Sequence, residues 1–114
     1  MSLIVSFISE NEIEEPNTGL FGFESWRTTL WGSAVIKNLG CEMLATLQED
    51  DLFVTGRHVS ILKEELLIIK ENASMISAAI EFIDTESILF RVENALGFIE
   101  VAASNESVLG ISIT

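Results

Sequence analysis

From Val59 onward, apolar residues recur every third or fourth position: Val59, Leu62, Leu66, Ile69, Ala73, Ile76, Ile80 and Ile83, with no Pro or Gly in the run. That spacing is one face of a helix, or of two helices in register. A single straight helix over 59–83 would be about 37 Å long at ~1.5 Å per residue. A domain of this size has a radius of gyration of roughly 13 Å, so such a helix would nearly overrun it. Asn72, Ala73 and Ser74 form its weakest helical stretch, because Asn and Ser compete with the backbone for hydrogen bonds. The pattern therefore predicts a break near Asn72, giving helices over 57–71 and 74–83. One long helix paired across a dimer axis is the alternative.

The other periodicities fill in an α+β outline. Residues 3–8 alternate little: apart from Ser6 both faces are apolar, which predicts a strand that is central or covered on both sides. Residues 10–19 carry four acids and the only proline, and read as a loop. Residues 20–23 fit either a short edge strand or an aromatic loop over the core. Ser25 reads as an N-cap for a first helix over 26–39, with Trp26, Leu30, Trp31, Ala34, Val35 and Leu39 inward and Gly40 as its stop. A short helix follows over 41–48. Residues 52–54 are too few to assign, and Thr55 is a candidate cap for the long run. Asp84 or Thr85 caps a last helix over 86–103, in which Gly97 suggests close approach of another element. Residues 108–113 form a strand with Leu109, Ile111 and Ile113 on one face. Strands near both termini then share one small sheet covered by three to five helices, with parallel pairing of the terminal strands one option.

Composition sharpens this outline. The chain has 114 residues, which fits a single domain over 1–114. The hydrophobic fraction is 48% and the mean hydropathy +0.42, so either the core is generous or apolar surface meets a partner. Acids outnumber bases 18 to 6, a net charge of −12. Solubility of a small domain needs a magnitude of only about 2 to 8. Such a field repels nucleic acid and anionic membrane and attracts a basic partner. No secretory leader is legible, and Lys63, Glu64, Glu65, Lys70 and Glu71 on the reverse of the 59–83 stripe exclude a membrane span there. A cytoplasmic, bacterial-type setting is the expectation. A single cysteine, Cys41, allows no disulfide within the chain.

Catalytic chemistry finds little footing. His58 is the only histidine, and its helical i+3 and i+4 neighbours are Ile61 and Leu62, which ligate nothing. Cys41 reads as a buried structural thiol. The glycines make no phosphate loop, and the acid clusters at Glu49, Asp50 and Asp51 and at Glu81, Asp84 and Glu86 lack a calcium-loop pattern. No cofactor and no metal site is expected. Trp and Arg dominate interfaces, which singles out Trp26, Arg27 and Trp31. Trp26 and Trp31 would point about 140° apart on an α-helix, so only one belongs in a narrow core stripe.

The expected function is therefore a non-catalytic, acidic interaction module, concretely a bacterial immunity or inhibitor-type protein that masks a basic partner. Its contact residues would be Glu12, Glu14 and Glu15 in the 10–15 loop, Glu24, Trp26, Arg27, Glu49, Asp50 and Asp51. Two alternatives stand beside it. One is a structural homodimer built on the 59–83 stripe or the last helix; the other is a small-molecule binder with a pocket near Trp26 and Trp31.

Overall fold

Strand β1 (Ser2–Ser9) and strand β4 (Val108–Ile113) form the centre of a sheet whose order is β2-β1-β4-β3, with β2 Leu20–Phe23 and β3 Leu52–Thr55 at the edges. The computed structural model describes residues 2–114, and among them are these four strands and five α-helices. All three pairings are antiparallel. The terminal strands share one sheet as expected, but they pair antiparallel, not parallel. The turn after the last helix reverses the chain directly into β4, so that helix, and not a crossover from β1, sets the strand's direction.

Alternation along the strands separates two faces. Leu3 and Val5 of β1, Leu52 and Val54 of β3, and Ile111 and Ile113 of β4 are buried, aligned by the pairs Val5–Ile113, Leu52–Ile113 and Val54–Ile111. Their other neighbours, Ile4, Ser6 and Ile8 on β1 and Phe53 on β3, lie on the opposite face, and Ile4, Ile8 and Phe53 belong to no core cluster. The helices therefore cover one face only. The expectation that β1 is covered on both sides fails here: flanking strands alone shade Ile4 and Ile8, which stay half-buried.

The run from Val59 resolves into α3 (His58–Glu71) and α4 (Ala73–Ile80), with the break at Asn72. The Asn72 side chain donates to the Ile68 carbonyl at 2.8 Å, which also accepts the Asn72 backbone N–H at 3.1 Å, so this one residue closes the end of α3 twice over. Leu62, Leu66, Ile69, Ala73, Ile76 and Ile80 from the stripe are all buried. Thr55 does not cap α3: it closes β3, Gly56 turns the chain at φ +55°, and Arg57 occupies the cap position without a side-chain bond. The last helix, α5 (Thr85–Ser104), is capped by Asp84, whose carboxylate accepts the Ser87 N–H at 2.7 Å. Gly97 does admit a neighbour, since a Cβ there would lie 3.0 Å from Asn17 Nδ2 and against Pro16.

The expected helix over 26–39 is not continuous. Residues Arg27–Trp31 form a π turn, Gly32 interrupts, and a separate short helix α1 (Ala34–Asn38) starts on Ser33, which takes the cap role expected of Ser25. A Cβ at Gly32 would meet Gln48 Cβ and the Arg27 carbonyl, each at 2.5 Å, so the break is where this segment packs against the chain beyond α2 (Glu42–Ala45). The π geometry also revises the tryptophan argument. With i→i+5 closure, residues five apart come to the same side, and Trp26 and Trp31 are both buried.

Candidate functional site

The residues expected to make partner contacts fall into two groups. The first is the loop that leaves β1 after Ser9. Glu10, Glu12, Glu14 and Glu15 are exposed, and none makes an ion pair among the described residues. The loop is nevertheless held in place. Asn17 Oδ1 accepts the Gly19 N–H at 2.7 Å in an Asx turn, and Asn17 Nδ2 donates to the Asn94 carbonyl of α5 at 3.0 Å. Gly19 lies at φ +70° against the Val5 carbonyl, a close approach that a side chain would block. Glu12, Ile13 and Glu15 border a shallow hollow with Ser6, Phe7 and Ser9 of β1. The acids therefore stand at the rim of the sheet, where β1 ends beside α5.

The second group is joined internally. Arg27 bonds the carboxylates of Glu24 and Asp51 and donates to the Leu47 and Asp50 carbonyls at 3.1 and 2.9 Å. Burial disfavours its charge, but hydrogen bonds to Asp51 and Glu24 more than restore it. One guanidinium thus ties the π turn to the segment before β3, using the planar fork that lysine lacks. Trp26 is buried, and Phe23 meets it edge-on at 5.9 Å. The Arg91 guanidinium lies over its ring at 5.6 Å. Trp31 stacks on Phe21 at 4.2 Å and donates its indole N–H to the Phe21 carbonyl. These aromatic and cationic groups hold the fold, while Glu49 and the Asp50 carboxylate remain exposed and unpaired among the described residues.

The two groups do not merge. The acid loop departs from the C-terminal end of β1, whereas Glu24 follows Phe23, which pairs with Ser2 at its other end. Sequence proximity hid this separation, because 10–15 and Glu24 are near in the chain but lie toward opposite ends of one strand.

A single buried carboxylate carries the main electrostatic tension. Glu65, on the inner flank of α3, accepts the N–H groups of Met43 at 3.1 Å and Leu44 at 2.9 Å. It caps α2 from another helix and completes donors that the local sequence leaves open. Burial pushes its carboxyl up, and the two backbone bonds oppose this only in part. Cys41, at the cap position of α2, is buried and its thiol is pushed up to about 11 by burial and then by the Glu65 charge. A helix N-terminus favours a thiolate, but desolvation and the carboxylate prevail here.

A groove of about 680 Å³ runs between α3 and α5 and is lined by Leu67, Leu96, Ile99 and Leu109 together with Lys63 and Glu93. Neither Trp26 nor Trp31 borders it, so the pocket expected near them is filled by their own packing. Among the described residues no three His, Cys, Asp or Glu side chains converge as a metal cage, and no helix is long and apolar enough to cross a membrane. His58 is an exposed residue at the start of α3.

What the sequence reading missed is the open sheet face and its edge, marked by Ile4, Ile8 and Phe53. The signal available was the alternation of Leu52, Phe53, Val54 and Thr55, which is too short to assign without the partner strand. Compared with known proteins, the chain matches no family model, no curated protein and no solved structure. Its function is therefore argued from this geometry alone.

Proposed function

We propose that this protein acts by binding, as an acidic interaction module of the immunity or inhibitor type that covers a basic protein partner. One observation carries the reading: Glu10, Glu12, Glu14 and Glu15 point into solvent without internal ion pairs, on a loop that Asn17 pins against α5 at the end of β1. A pinned loop lowers the ordering cost of association. Unpaired carboxylates in a field of net charge −12 accelerate encounter with cations and set orientation. The half-buried Phe7 and Ile13 that line the hollow with these acids supply apolar area for the centre of a contact. Glu49 and Asp50 extend the negative field at the other end of the sheet.

The test is a titration of the protein against a panel of small basic proteins over a salt series, with a variant in which Glu10, Glu12, Glu14 and Glu15 are all changed to Gln. Binding should weaken steeply as salt rises, and the variant should bind at least about tenfold more weakly with a slower association rate. Absence of binding to every member at low salt, or binding that ignores both salt and the four substitutions, overturns the reading.

A further inference from the structure

We infer that the β3 edge is a self-association surface, on which a second copy of this chain adds its own β3 antiparallel to form one continuous sheet. The two edges of the sheet are finished differently. At β2 the Leu20 carbonyl accepts Asn94 Nδ2 at 2.9 Å and the Phe21 carbonyl accepts the Trp31 indole N–H at 3.1 Å. Side chains from α5 and the π turn thus take up polar groups of that edge strand. At β3, among the described residues, the backbone bonds only to β4. An exposed edge with free N–H and C=O groups is a template for another strand.

The side chain that this edge presents on the uncovered face of the sheet is apolar. Phe53 is 64% exposed on the uncovered face. On the helical side, Val59, Lys63 and Leu67 of α3 turn toward α5, where they line the groove. Ile61 lies about 200° around the helix from Val59 and Lys63, away from the groove, and it is 40% exposed. A two-fold axis normal to the sheet through Phe53 keeps each face continuous and places the two Phe53 rings side by side as a cross-strand pair.

Charge selects the second copy as occupant. The strand is preceded by exposed Glu49, Asp50 and Asp51 and followed by exposed Arg57 and His58. Antiparallel self-pairing sets the acidic end of each strand beside the basic end of the other, twice by symmetry. Centred on Phe53, it brings the 49–51 segment of one chain near Arg57 of the second copy. A parallel in-register pairing would instead juxtapose the acids of the two copies. This local complementarity opposes the general repulsion between two chains of net charge −12. The surface is distinct from the acid loop, so its success or failure is independent of the proposed partner binding.

Sedimentation velocity and light scattering of the full chain over micromolar concentrations test the inference. The expected mass is twice the 12.6 kDa of one chain. Phe53→Glu should yield a monomer with an unchanged circular dichroism spectrum, since the ring packs on no core residue. Arg57→Glu and Glu49→Arg should each weaken association about tenfold, and the double variant should restore it. A wild-type monomer throughout the range overturns the inference. So does a dimer that ignores Phe53→Glu, or a double variant that remains as weak as the singles while its circular dichroism spectrum matches the wild type.

Discussion

At the scale of single residues, Glu65 does the most unusual work. It is a buried carboxylate whose two hydrogen bonds cap a four-residue helix in another part of the chain. Glu65→Ala would leave the N–H groups of Met43 and Leu44 without partners, and should lower stability by about 2 kcal/mol in urea unfolding. Glu65→Gln keeps one acceptor and removes the buried charge, so its loss should be smaller. The pH dependence separates the two roles. An unfolded glutamate titrates at about 4.3, and native Glu65 titrates higher. Between those values the native state holds the proton more tightly, so this carboxylate's contribution is most favourable below the unfolded value and declines as pH rises through the native one. Either variant should flatten that part of the stability profile; a slope equal to wild type would show that another group produces it. The neighbouring Cys41 thiol, pushed up to about 11 and buried, should react with a disulfide reagent at neutral pH only after unfolding in urea.

At the scale of elements, the segment between α4 and α5 stores strain. Glu81 ends α4 at φ +47°, ψ −44°, a conformation that a residue with a Cβ adopts only at a penalty. Glu81→Gly should therefore raise stability by about 1 kcal/mol, read as a melting temperature roughly 4 °C higher. A lower melting temperature would show that the unfolded-chain entropy of glycine outweighs the relief. The acid loop offers a second test. Asn17→Ala removes both the Asx turn and the bond to α5, so a glutamate-specific protease should cut 10–15 faster in native protein, with global stability lowered by only about 1 kcal/mol. These cases also show what a sequence makes visible. The break at Asn72 and the Asp84 cap were legible, because helical period and cap chemistry are local. The π turn was not, because Gly32 must clear Gln48 and Arg27 must reach Asp51, contacts between segments far apart in the chain. For the candidate site, the exposure of the acids was legible and the grouping of the residues was not. The acid loop lies exposed as its composition implied, whereas Trp26 and Arg27 look like interface residues in sequence and serve the interior in space.

At the scale of the whole molecule, stability is a contest between a generous apolar core and self-repulsion. Of the 18 acids, the ion pairs among the described residues engage only Glu24, Asp51 and Glu93, and two of these share Arg27. The remaining carboxylates repel over distances comparable to the screening length, about 10 Å at 0.1 M salt and 3 Å at 1 M. Added sodium chloride should therefore raise the melting temperature, by several degrees between these two concentrations. Acidification acts in the same direction at first, by protonating Glu65 in its native site and relieving the general repulsion. Asp84 sets the opposite limit. Its hydrogen bonds with Ser87 hold its carboxyl below the usual range, so its contribution is complete above the unfolded value of about 3.9 and is lost as pH falls through the native one. The two trends place maximum stability on the acid side of neutrality, at about pH 5, between the unfolded carboxylate range and neutral pH. The salt response should also be smaller there than at pH 8, because fewer like charges remain to be screened. Differential scanning calorimetry over this pH range at low and high salt measures both effects together. A melting temperature that climbs from pH 5 to pH 8, or that ignores salt at pH 8, would mean that self-repulsion is not what limits this fold.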